Sequence, residues 1–252
     1  MLFDPFGGRW DDLRSAALAA EHAGFDGVWL YDHLAGSVHG SSHVLECWTA
    51  LTALAAVVPR LDVGPMVLNV ANRDAATLAV MAATLQHISG GRLLLGLGAG
   101  GGRDTPYAAE QQALGRNVGG DAARRRSVED TVTTLRRVWS DSTGGARGFL
   151  QPEPPPPVVV GAFGPKMAEL AGRVGDGINV PAGPAAEGLV KIAGRAHAAA
   201  GRDSEPFTVT VSAPASRAGL DLARAAGADR ALVLARPPYP DGVHRLEAAL
   251  AR

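Results

Sequence analysis

Two hydrophobic periods take turns along this chain, and that alternation constrains its fold more than any single motif. Short, nearly unbroken apolar runs recur: "GVWLYDH" (27–33), "LDVGPMVLN" (61–69), "RLLLGLGAG" (92–100), "PVVVGAF" (157–163), "DGINVP" (176–181), "FTVTVSA" (207–213) and "ADRALVLA" (228–235). Such runs are expected of parallel strands covered on both faces, where the apolar–polar alternation of a half-exposed strand is missing. Between them lie segments with helical spacing. Residues 11–24 place Leu13, Ala16, Ala17 and Ala20 on one face, and residues 45–58 do the same with Trp48, Leu51, Ala55 and Val58. Residues 74–89 carry Leu78, Met81, Ala82, Leu85 and Ile88, and residues 122–139 carry Val128, Val132, Leu135 and Trp139. Further helices are expected over 165–174, opened by Pro165 at the position where proline suits a helix start, over 184–200, over 216–226, and from Asp241 onward. With a short first strand in "MLFDPF", this makes eight strand–helix units. Eight such units in one chain predict an α/β fold, a closed (β/α)8 TIM barrel; an open doubly wound sheet with two extra units is the competing arrangement.

The length of 252 residues suits one such barrel, so 1–252 is expected to be a single compact domain. A net charge of −1 gives no electrostatic case for nucleic acid or an anionic membrane surface. No run approaches the roughly eighteen apolar residues of a membrane span. The lone Cys47 excludes a disulfide framework and a cysteine-rich zinc site. The start "MLFDPFGGRWDDLR" lacks a basic region followed by an apolar run, so the expected location is cytoplasmic. No constellation of side chains has the ligand number and type of a metal site. His22, His87 and His197 lie in helices without an i, i+4 partner and read as surface or core residues. His39 and His43, in the loop "GSVHGSSH", either touch substrate or hold a metal adventitiously.

Two connections are too long for plain turns. Residues 101–121 follow the fourth strand, at the face where barrel active sites are built. Residues 140–156 lead into the fifth strand, and their proline run reads as a stiff spacer rather than a ligand for a proline-binding domain. The stretch "GLGAGG" (96–101) fits the G-x-G-x-x-G dinucleotide pattern, but that fingerprint must open a helix at once and meet an acidic residue about twenty positions on. Here the glycines run into a polar loop and the next strand begins near Pro157, so the dinucleotide reading fails. Glycines at a strand end then serve either close approach of a flat ligand, the favoured reading, or relief of crowding at the barrel mouth. The turn "VGAFGPK" (160–166) has a helix start immediately behind it, which makes an anion site by geometry and dipole; a plain strand–helix turn is the other reading.

Over nearly its whole length the chain resembles the luciferase-like monooxygenase family, in its coenzyme F420-dependent (deazaflavin) branch. The resemblance rests on "AEHAGFDGVWLYDHL" (20–34), on residues 61–100 from "LDVGPMVLN" to "LLLGLGAG", and on "PPVVVGAFGPKMAELAGRVGDGINVPAG" (156–183). It implies a barrel with a deazaflavin or flavin at its C-terminal face, commonly in a homodimer, here without the large insertions of bigger members. Position by position, it implies that Asp32 and His33 approach the tricyclic ring. Pro65, Met66 and Val67 match the family's bulge with a non-proline cis peptide against one ring face. Asn69 ends that strand with a hydrogen bond into the pocket. Ala99 and Gly100 line the ring and ribityl chain, and backbone amides of Gly161, Ala162, Phe163 and Gly164 hold the phosphate. His33 either transfers a proton or only hydrogen-bonds the cofactor. Glu46 supports a helix start, and Arg73 anchors the next helix, with phosphate contact as its alternative. One departure stands out. Sugar-phosphate dehydrogenases of this branch carry a catalytic glutamate where this chain has Gly101, which leaves the general acid unassigned; the nearest acids are Asp104 and Glu110.

The function the resemblance implies is hydride transfer between coenzyme F420 and a small organic substrate. Two alternatives accompany it: an FMN-dependent monooxygenase on the same barrel, and a deazaflavin-binding protein without turnover.

Overall fold

The computed structural model describes residues 1–140 and 148–239, and beyond them Val243, His244, Glu247 and Ala248. The helix expected from Asp241 and part of the 140–156 connection therefore fall largely outside the described residues.

Nine parallel strand segments run β1 (Leu2–Phe3), β2 (Gly27–Leu30), β3 (Asp62–Pro65), β4 (Leu68–Asn69), β5 (Leu95–Gly98), β6 (Val158–Gly161), β7 (Gly177–Pro181), β8 (Thr208–Ala213) and β9 (Arg230–Ala235). Their spatial order is β3-β2-β1-β9-β8-β7-β6-β5-β4. β3 and β4 are one strand interrupted at Met66–Val67: β3 pairs with β2, and β4 pairs with β5. A parallel bridge between Val63 and Leu93 joins the two ends, with the Val63 amide donating to Arg92 O and the Leu94 amide to Val63 O, both at 2.9 Å. Nine segments thus fill eight strand positions, and the open-sheet alternative is set aside.

Between the strands run α1 (Trp10–His22), α2 (Cys47–Val57), α3 (Ala75–Ser89), α4 (Tyr107–Ala113), α5 (Asp121–Trp139), α6 (Pro165–Val174), α7 (Ala186–Ala199) and α8 (Arg217–Ala225). Their ends have local causes. The Asp74 carboxylate accepts from the Thr77 amide and starts α3, and Gly90 at φ +68° stops it. Alternate strand residues face opposite ways, so Val28, Leu30, Val158 and Val160 pack on the helices while Trp29 and Val159 join Leu2, Met66, Leu94 and Leu232 inside the barrel. Among the described residues no helix is long and apolar enough to cross a membrane.

α4 lies within the 101–121 connection. That stretch has no apolar period to announce a helix; what α4 buries, apart from Ala108, is polar, Glu110 and Gln111.

Candidate functional site

The C-terminal ends of parallel strands share one end of the barrel, and every expected site residue lies there, on or just after a strand. At the β2 end Asp32 is buried and its carboxylate is fully engaged. Oδ2 accepts from Arg73 Nη1 at 2.9 Å, Asn72 Nδ2 at 3.0 Å and the Asn69 amide at 2.9 Å, and Oδ1 accepts from Arg73 Nη2 at 2.9 Å. Arg73 also pairs with Glu46, which caps α2 by accepting from the Trp48 and Thr49 amides. Asn72 Oδ1 in turn accepts from Gln111 of α4. Burial disfavours the Arg73 charge, but Asp32 and Glu46 outweigh it and raise the guanidinium pKa. Burial likewise pushes the Glu46 carboxyl up, yet the bonds from Thr49 and Trp48 and the Arg73 charge hold it below the ordinary value.

Both ends of the Arg73 guanidinium are occupied, as the anchoring role has it. Asp32 acts on the site through what it orders, namely the Asn69 backbone and the start of α3.

His33, next along the chain, turns to a different partner. Its Nδ1 lies 3.1 Å from Oε2 of Glu110, a carboxylate only 3% exposed. The ring also packs near Phe6 (centroids 4.9 Å), Tyr107 (5.1 Å) and His39 (6.0 Å), and the Tyr107 hydroxyl lies 3.4 Å from His39 Nε2. His39 comes from a one-turn 3-10 helix over Gly36–His39, so the β2–α2 connection and the 101–121 connection meet beside the β2 end.

The peptide between Met66 and Val67 is cis, as the bulge implied by the resemblance has it. The neighbouring glycines then acquire a use the sequence did not reveal. A Cβ on Gly96 would lie 2.3 Å from Pro65 O and 2.9 Å from Met66 Sδ, and one on Gly98 2.4 Å from Val67 Cγ2. One on Gly100, which sits at φ +68°, would meet the Asn69 side chain at 2.6 Å, and one on Gly101 would meet Thr105 Oγ1 at 2.5 Å. Packing against the third strand and the loop after β5 is thus one reason for glycine at these positions. Ala99 and Gly100 do border a cleft of about 180 Å³, shared with Asn69, Gln111, Arg124 and Ser127. Arg124, which sequence reasoning missed, holds the loop by donating to the Ala99 and Gly100 carbonyls and pairs with Asp121 at 2.7 Å.

The 161–164 turn divides its four expected amides. Ala162 N–H already donates to Asn179 O at 2.8 Å, so it is withdrawn from the expected anion site. Gly161 belongs to β6, where a Cβ would lie 3.0 Å from Val67 Cγ1. The Phe163 and Gly164 amides have no acceptor among the described residues, and Gly164 begins α6 without a side-chain cap, Lys166 following in the first turn. Phe163 is 83% exposed.

Relatives narrow what such a site belongs to. The chain is 30% identical over 195 residues to the F420-dependent glucose-6-phosphate dehydrogenase of Amycolatopsis mediterranei, covering 73% of this chain and 56% of that one. It is 32% identical over 180 residues to the F420-dependent hydroxymycolic acid dehydrogenase of Mycobacterium tuberculosis, covering 67% and 48%. The chain thus spans about half the length of the curated relatives it matches. In fold it is similar to an F420-dependent secondary alcohol dehydrogenase solved with an F420–acetone adduct, at a TM-score of 0.84 and 16% identity, covering 99% of this chain and 97% of that one. Residues 4–250 match the luciferase-like monooxygenase family, and the chain belongs to it.

Proposed function

We propose that this protein is an F420-dependent oxidoreductase that exchanges a hydride with a small organic substrate at the C-terminal mouth of the barrel. The observation that carries the proposal is the 161–164 turn, which stands at the same end of the barrel as His33. Its free Phe163 and Gly164 amides, an uncapped helix start and Lys166 suit the anionic tail of a deazaflavin. The relatives named F420-dependent dehydrogenases support the choice of cofactor.

In this proposal Pro65, Met66 and Val67 back the ring, Asn69, Ala99 and Gly100 border it, and the Gly161 end of β6 leads to the two free amides. Asp32 holds Asn69 in place, and His33 exchanges a proton with the substrate. When bound, the cofactor supplies two-electron hydride chemistry; the barrel supplies position and exclusion of water. Homodimer formation and a cytoplasmic location belong to the same proposal. The exposed Val80 and Ile88 of α3 support the first, and the buried free thiol of Cys47 fits the second.

Anaerobic titration with F420 and with FMN, read by absorbance, tests the proposal. F420 is expected to bind at least about tenfold more tightly, a difference of about 1.4 kcal/mol, and to change redox state against a panel of alcohols and carbonyl compounds. Tighter FMN binding with oxygen uptake would instead establish the monooxygenase. Tight F420 binding with no redox change across the panel would establish a binding protein.

A further inference from the structure

We propose that Glu110 is the positioning residue for His33: from helix α4 it fixes the imidazole tautomer. The proposal rests on the oxidoreductase reading above for its chemistry, though not for its structural test.

The geometry leaves little choice of tautomer. An ionised carboxylate only accepts hydrogen bonds, so Oε2 of Glu110, 3.1 Å from Nδ1, places the single N–H of a neutral His33 on Nδ1. Nε2 is then a lone pair, and it has no hydrogen-bond partner among the described residues. The other rings near it are Phe6, His39 and Tyr107. Of these the titratable pair is directed elsewhere, the Tyr107 hydroxyl to His39 Nε2. On His33's own segment Asp32 is occupied by Arg73, Asn72 and Asn69. Among the described residues Glu110 is the hydrogen-bond partner that sets the tautomer. It is also held in place: its neighbour Gln111 donates to Asn72, which ties α4 to the Asp32 network at the same strand end.

The consequence is a base of defined direction. For a substrate bearing a hydroxyl on the reacting carbon, the O–H bond breaks and its proton passes to Nε2 of His33. The C–H bond would break with its electron pair, the hydride going to the oxidised deazaflavin that the proposed function names as acceptor. The substrate loses two electrons to become a carbonyl, and Glu110 holds the Nδ1–H of the imidazolium that results. In the reducing direction the same Nε2–H is returned to the carbonyl oxygen.

Histidine-selective 15N NMR on the full-length protein, at a pH where the imidazoles are neutral, reads the tautomer directly. Wild type is expected to hold His33 with hydrogen on Nδ1; hydrogen on Nε2 overturns the proposal whatever the turnover with F420. Glu110→Gln keeps the shape that docks α4, but its amide also donates, so the Nδ1–H preference is expected to disappear. In turnover with F420, kcat of this variant is expected to fall by about 10²–10⁴-fold, as when the orienting aspartate of a serine protease becomes asparagine. KM and the F420 dissociation constant should stay within about threefold. Glu110→Asp restores an acceptor-only group and should recover the tautomer and part of kcat, which also keeps the test intact if the glutamine variant folds poorly. A Glu110→Gln protein with an unchanged tautomer and kcat within threefold of wild type would reduce Glu110 to a dock for α4. A wild type with the expected tautomer but no redox change on any substrate would sink the oxidoreductase reading and leave the positioning intact.

Discussion

Two glycine-rich strand ends share a composition and are put to opposite uses. At the end of β5, the sites a Cβ would take on Gly96, Gly98, Gly100 and Gly101 are crowded by Pro65, by Val67, by Asn69 and by Thr105, each within 2.6 Å, with Met66 Sδ 2.9 Å from the first. After β6, a Cβ on Gly164 would meet nothing within 4 Å, and the adjacent Phe163 is exposed. At the first end protein atoms stand where a side chain would begin; at the second, Gly161 is still packed against Val67 but Gly164 leaves the backbone open. Glycine thus reports that something approaches the backbone closely, and only the neighbouring strand says what. At β5 that neighbour is the strand interrupted at Met66–Val67, whose atoms reach the Cβ sites of Gly96 and Gly98.

Gly96→Ala should break this comparison most visibly if it is wrong. The added methyl would run into a main-chain carbonyl and a buried methionine sulfur, and the carbonyl yields only if the third strand moves. Destabilisation toward the upper end of the 1–3 kcal/mol typical of overpacked cores is expected. With about 2–4 °C lost per kcal/mol in a chain of this size, thermal unfolding should show it clearly. An unchanged melting temperature would mean that the space beside Gly96 is not filled by protein.

Gly98→Ala should cost less, roughly 1–2 kcal/mol, because the obstacle is a side-chain methyl, Val67 Cγ2. Here a double-mutant cycle is decisive. Val67→Ala removes that methyl, so the double variant should be more stable than the sum of the two single losses by about 0.5–2 kcal/mol. Strict additivity would show that Val67 is not the reason for the glycine.

How much of this was legible beforehand follows from the range of the interactions. Helix boundaries were local matters: Asp74 and Gly90 frame α3, and Pro165 opens α6, so both helices fall where apolar spacing and end signals place them. The barrel followed from eight repeats of one rhythm. The Asp32 network was invisible because its members lie about forty positions apart, Asp32 with Asn72 and Arg73, and Asn72 with Gln111. No residue in that set has a signature of its own; barrel curvature brings them together. Glu110 was legible as an acid near Gly101, but its partner His33 lies 77 positions away, and α4 itself has no apolar stripe to reveal it. The loss of Ala162 as an anion ligand is a matter of register. Its amide is spent on Asn179 in the ladder, and no pattern in residues 160–166 says where β6 stops pairing with β7.

The smallest effect carries the other half of the comparison. Gly164 sits at φ −158°, extended backbone that alanine adopts without strain, and its vacant side-chain position is open. Gly164→Ala should therefore change stability by no more than about 0.5 kcal/mol in urea unfolding, as surface substitutions away from special features do. Because alanine keeps the amide, F420 affinity should stay within about twofold. A stability loss above 1 kcal/mol would place this turn in the same class as the β5 end, with protein packed where the proposed site needs open backbone. An anionic group would then have to be sought beside Arg124, in the cleft it shares with Ser127.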